Sequence, residues 1–114
     1  MEASALASRK CKPCEEDAHP LPLSAATILL NDLHGWELGD GKSLRKTIKC
    51  KHFLDAVDLI QRIAQVAEAE DHHPDLHLTK YRYLTLELST HAIGGLSEND
   101  FILAAKIDQL LPPF

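Results

Sequence analysis

Four of the seven histidines, His72, His73, His77 and His91, fall between residues 68 and 100, among Glu68, Asp71, Tyr81, Ser89, Thr90 and Asp100. Histidine is the one side chain whose unperturbed pKa lies near neutral, so imidazoles this dense among carboxylates point to proton transfer or metal binding. As ligands, the imidazoles with Glu68 or Asp100 could hold zinc. Adjacent histidines on an extended segment point apart, however, and no H-x-x-x-H pair stands on a helix. Cofactor-free acid–base catalysis asks instead for titrating groups on either side of a small planar substrate, and His72, His73 and His91 offer that. Each residue also has an ordinary explanation. Loop histidines are often merely solvated. Glu68, one turn before His72, either orients it, binds a substrate amine or is simply a solvated helix residue. Asp100 sits at the third position of a capped helix, where an acid is favoured regardless of function. His77 lies between Leu76 and Leu78, faces away from them and reads as surface; Tyr81 reads as packing.

These residues need elements to hold them. Lys51 to Glu70 is the clearest helix: Phe53, Val57, Ile60, Ala64 and Ala67 recur at four-three-four-three spacing, and Asp58 can pair with Arg62. A second row, Ala56, Leu59, Ile63 and Val66, lies beside the first. Together they cover roughly 180° of the helix, wider than the ~100° stripe one core requires, so the second row is expected to face a partner. Beyond Pro74 the period changes to two, with Leu76 and Leu78, then Leu84, Leu86 and Leu88. One strand from 75 to 90 would be long, so a break near Lys80-Tyr81 gives two antiparallel strands. His72 and His73 then sit in a rigid loop after the helix, and His91 ends a strand just before the Gly94-Gly95 turn. If the strands return toward the helix end, the three imidazoles share a cleft.

The remaining elements follow similar signals. Ser24 can cap a first helix, with Leu23 stapled onto Ile28, and Gly35 ends it. Trp36 to Leu38 and Ser43 to Cys50 flank Asp40-Gly41, a hairpin signal. Ser97 to Asp100 is a capping box with a Leu96–Phe101 staple; the last helix buries Leu103, Ile107 and Leu110 and stops at Pro112-Pro113. The order α-β-β-α-β-β-α implies an α+β fold, three helices on one face of a four-stranded antiparallel sheet.

With 114 residues the chain is one domain. A net charge of −5 gives no reason to expect nucleic acid, and no apolar run approaches the ~20 residues that span a bilayer. The first residues do not form a secretory signal, so the cytoplasm is expected. Residues 1–22 read as a flexible leader and 23–114 as the domain. Cys11 and Cys14 form a lone C-x-x-C there; with His19 they fall short of four zinc ligands, and Pro13, Pro20 and Pro22 deny them the helix N-terminus that a redox pair needs.

Written with its intervals, the histidine stretch is Glu68, three residues, His72-His73-Pro74, six residues, Tyr81, nine residues, His91, eight residues, Asp100. This resembles the signature of the pterin-4a-carbinolamine dehydratases, and the likeness runs on through Gly94-Gly95-Leu96-Ser97 and more loosely back to about Ser24. The resemblance implies the same architecture and an elimination of water from 4a-hydroxytetrahydropterin, giving the quinonoid dihydropterin that is recycled for aromatic amino-acid hydroxylases. It implies no cofactor or metal. His72 and His91 would be general acid and base, and His73 would orient the pterin. Glu68, Asp71, Pro74, Ser89, Thr90, Ala92 and Asp100 would line the pocket. Leu76 stands where the best-known animal members carry tryptophan, which alters the cleft wall. The family likeness also implies a homotetramer built as a dimer of dimers. Some relatives act instead as interaction or assembly proteins that bind partner helices, a role the wide apolar face of helix 51–70 would suit.

Overall fold

The computed structural model describes residues 6–11, 19–39 and 42–111. The Asp40-Gly41 turn, Cys14 and the Pro112-Pro113 stop lie outside them. Three helices, α1 (Leu23–Leu30), α2 (Phe53–Glu70) and α3 (Glu98–Asp108), alternate with paired strands β1 (Glu37–Gly39), β2 (Ser43–Lys49), β3 (Asp75–Thr79) and β4 (Tyr83–Leu88). This is the expected α+β order. The sheet runs β1-β2-β4-β3, antiparallel throughout, with Leu44 opposite Leu88 and Ile48 opposite Leu84. Period-two alternation therefore puts Leu44, Ile48, Leu84, Leu86 and Leu88 on one buried face. The other face is polar, with Thr47 bonded to Thr85 and Arg45 beside Glu87. No helix among the described residues is long and apolar enough to cross a membrane.

The β3–β4 hairpin breaks at Lys80-Tyr81 as expected, through two successive left-handed residues, Lys80 (φ 49°) and Tyr81 (φ 59°). That is the turn whose twist matches paired strands, made here without the glycine or asparagine that accept it most easily.

α2 buries Ala56, Leu59, Ile63 and Ala67, with Ile60 and Val66 at the shoulders. At 100° per residue these six span an arc of about 120°, one ordinary core-facing stripe. The second row therefore belongs to the subunit's own core and not to a partner. The row expected to be central is a shoulder of that arc, and at its near end Phe53 is half exposed while Ala64 is exposed.

α1 starts at the cap Pro22, two residues earlier than the expected Ser24. The staple positions shift with it, to Leu21 and Ala26, which pack into the core, while Leu23 and Ile28 are left exposed. Three short-range bonds carry the chain on from Leu30 to Leu33, and Gly35 takes the left-handed conformation (φ 76°) before Trp36. Trp36 Nε1 and Lys46 Nζ both donate to Asp108 Oδ1 at 2.9 Å, tying the sheet to the end of α3.

α3 is buried around nearly its whole circumference, from Asn99 to Ala105 and at Ile107. Part of its cover comes from the segment expected to be a free leader. Leu6 is fully buried, Lys106 Nζ donates to the Ala7 carbonyl at 2.7 Å, and Arg9 pairs with Glu98. Further on, the Leu21 amide donates to the Leu96 carbonyl at 2.8 Å. The described parts of residues 1–22 are thus docked. An isolated apolar residue such as Leu6 has no periodicity to announce its burial.

Candidate functional site

The C-terminal end of α2 sets the position of His72 and His73. Asp71 is left-handed (φ 51°), and the His72 amide donates back to the Ala67 carbonyl at 3.1 Å. That closure satisfies the last helical carbonyls and turns the chain out of the helix axis, an arrangement aspartate tolerates better than most side chains. Pro74 then forces the extended backbone that leads into β3.

His72 and Asp100 meet at 2.6 Å through Nε2 and Oδ1, with the His72 side chain 12% exposed and Asp100 fully enclosed. Asp100 Oδ2 accepts from Thr90 Oγ1 at 2.8 Å and from the Ser97 amide at 2.9 Å. Thr90 Oγ1 and Ser97 Oγ are 2.6 Å apart. The capping box of α3 is therefore present, and its acid also reaches across to the loop after α2. The cap and the contact with His72 thus coexist in one side chain. Ser97, expected as a helix cap and not among the candidate pocket residues, also joins the cluster through its hydroxyl.

Thr90 is the residue before His91, so this cluster ties His72 to the His91 segment. Thr90 and Gly95 form an isolated antiparallel bridge, with the Thr90 amide donating to the Gly95 carbonyl at 2.7 Å. The bridge pinches residues 91–94 into a loop: a single 3-10 turn, His91–Ile93, closed by left-handed Gly94. His91 and Ala92 are exposed on that loop, and Ser89 is exposed beside it.

His73 is oriented separately. Its Nε2 lies 3.0 Å from Glu68 Oε1, both side chains largely exposed. Glu68 thus serves His73 and not His72, because the left-handed turn at Asp71 swings His72 toward α3. A solvent-exposed pair of this kind contributes little stability, about 0–1 kcal/mol. Asp71 is exposed and Pro74 half-buried at the same helix end. Tyr81 is 57% exposed at the hairpin tip, and His77 is exposed on β3 as expected. Leu76 is half-buried against the core.

No group of three or more His, Cys, Asp or Glu side chains among the described residues is arranged to hold a metal ion. Cys11 is half-covered: its amide donates to Glu70 Oε1 at 2.8 Å, and burial, followed by the Glu70 charge, pushes its thiol up to about 12. A pocket of about 510 Å³ opens elsewhere, between Cys50, Asp55, Leu59, Arg62 and Leu110. At 1.5 Å per helical residue it lies roughly 15–25 Å from His72 along α2. The titrating cluster, not the volume, marks the candidate site.

A family model described as pterin 4 alpha carbinolamine dehydratase matches residues 19–110. The chain is 45% identical over 109 residues to pterin-4-alpha-carbinolamine dehydratase 2, mitochondrial, of Arabidopsis thaliana, covering 92% of this chain and 58% of that one. The chain thus spans little over half the length of the plant relative. A relative from Nitrosomonas eutropha, whose name carries the same activity provisionally, is 47% identical over 107 residues, with 93% of each chain covered. The crystal structure of a transcriptional coactivator/pterin dehydratase from Brucella melitensis superposes with a TM-score of 0.75 at 30% identity, over 81% of this chain and 98% of that one.

Proposed function

The chain belongs to the pterin 4 alpha carbinolamine dehydratase family, and from that premise we propose that it dehydrates a 4a-hydroxytetrahydropterin by histidine acid–base catalysis. The observation that carries the reading is the Asp100 carboxylate, bonded on one oxygen to His72 and on the other to Thr90, the neighbour of His91. Elimination of water needs one proton delivered to the departing 4a-hydroxyl and one removed from N5. His72 and His91 are the pair assigned to those transfers. His73, steadied by Glu68, binds and orients the pterin, and Asp71, Pro74, Ser89, Thr90 and Ala92 line its edge. The product is the quinonoid dihydropterin, reused after reduction, and the reaction calls for no redox cofactor. Cytoplasmic residence belongs to the same reading.

The test is stopped-flow dehydration of the 4a-carbinolamine by purified protein. His72→Ala and His91→Ala should each lower kcat by about 10²–10⁴-fold, the usual range for one acid–base group, with little change in melting temperature. His73→Ala should mainly raise KM. Full activity in all three variants would place the chemistry elsewhere.

Self-association is a second part of the reading, by family likeness as a tetramer. Its support is the exposed apolar surface at the start of α2, where Phe53 is 51% and Leu54 76% exposed. The same surface suits a partner helix in an interaction role. Phe53→Glu with Leu54→Glu should lower the sedimenting mass; an unmodified protein that sediments as a monomer at micromolar concentration removes this part.

A further inference from the structure

With Asp100 as the carboxylate, the hydrogen bonds around it have one consistent set of directions. Oδ2 accepts from Thr90 Oγ1 and from the Ser97 amide. Having given its one hydroxyl proton to Oδ2, Thr90 can only accept at its 2.6 Å contact with Ser97 Oγ, so Ser97 is the donor there. Ser97 Oγ in turn accepts from the Asp100 amide, which completes the capping box. Oδ1 is left facing His72 Nε2 at 2.6 Å, and a carboxylate oxygen can only accept. The proton therefore sits on Nε2, and in the neutral ring Nδ1 carries the lone pair. No described group bonds His72 Nδ1, and the His72 side chain keeps 12% of its surface exposed.

We infer that Asp100 is a positioning residue that fixes the Nε2–H tautomer of His72, making Nδ1 the proton acceptor of the dehydration and His91 the donor. The inference rests on the dehydratase reading above for its chemistry, but not for the tautomer. In the step, the N5 proton of the pterin passes to His72 Nδ1. The electron pair it leaves forms the N5–C4a double bond, and the C4a–O bond breaks. The departing hydroxyl takes a proton from the His91 imidazolium and leaves as water. One proton is accepted and one is given, with no oxidant or reductant. Because Thr90 joins Asp100 to the residue before His91, the network that orients the acceptor also anchors the base of the donor's loop.

The test combines spectroscopy of the free protein with kinetics. Two-bond proton–nitrogen spectra of histidine-labelled protein, recorded above the imidazole titration, should show His72 protonated at Nε2 and bare at Nδ1. In Asp100→Asn the amide oxygen must take the place of Oδ2, where Thr90 and Ser97 donate. Its NH2 then faces Nε2 and should invert the tautomer. Turnover should fall by about 10²–10⁴-fold with KM little changed, since the lost contact acts on the reacting nitrogen and not on the bound pterin. A purely structural role would lower stability without inverting the tautomer. A wild-type spectrum with the proton on Nδ1 overturns the inference, as does an inverted tautomer in the variant with undiminished kcat. If Asp100→Asn does not fold, the wild-type spectrum still decides the tautomer. A wild-type protein with the Nε2–H pattern and no dehydration would sink the functional reading and the acceptor role together, leaving the tautomer standing.

Discussion

Asp100 illustrates how one side chain comes to serve two purposes. A carboxylate at the third position of a capped helix is stabilised by the helix N-terminus and by the cap. Here its second oxygen is free to reach out of the helix and hold an imidazole. Cys11 shows the opposite outcome, a reactive residue type made inert by where it lies. Its thiol, pushed up to about 12 from 9.0 by burial and by Glu70, stays protonated at neutral pH. A group whose folded pKa is raised contributes stability that is complete below its unfolded value and lost as pH climbs toward the folded one. Cys11 should therefore resist iodoacetamide at pH 8 while the protein is folded and react once urea unfolds it. Its stabilising share should disappear between about pH 9 and pH 12. Rapid alkylation of Cys11 in the native protein would refute this account.

At the level of elements, the β3–β4 hairpin holds a local conflict between residue type and conformation. Lys80 and Tyr81 both occupy left-handed backbone that asparagine and glycine adopt at lower cost. Replacing the pair by Asn-Gly should stabilise the fold by about 1–2 kcal/mol, read as a higher urea midpoint with unchanged slope. A lower midpoint would mean that the Arg82 guanidinium, 5.8 Å above the Tyr81 ring, matters more than the turn. Element order was legible in the sequence because period two and period 3.6 are strong signals, and the break at Lys80-Tyr81 followed from strand length. The facing of α2 was not. Its two apolar rows overlap by more than one stripe, and only the sheet and α3 decide which rotation buries Leu59 and Ile63. For the site, the spacing of Glu68, His72-His73, His91 and Asp100 was legible, whereas the partnering was not. The left-handed turn at Asp71 exchanges the histidine that one-turn spacing would give Glu68, and nothing in residue order reports that rotation.

Across the whole molecule, the N-terminal segment closes the core from the far side of α3. Leu6→Ala should cost about 2–4 kcal/mol in a urea melt, the range for emptying a fully enclosed leucine site. Truncation before Cys11 should be at least as damaging, since it also strips the carbonyl that Lys106 uses. A loss below about 0.5 kcal/mol would return the segment to a dispensable tail.

The enclosure of α3 has a consequence for the time axis of the protein. Local openings begin where apolar cover is thin, and elements wrapped on every side open only when everything else does. Backbone amides from Phe101 to Ala105 should thus be the last to exchange with deuterium, at the rate of global unfolding. Those of Ala92 to Gly94, in the exposed loop beyond the Thr90–Gly95 bridge, should exchange first. The carboxylate bonded to His72 should therefore stand on the most persistent element of the fold, and His91 on one of its most transient. The loop that carries His91 should then open and close on fast timescales while the Asp100 network stays formed.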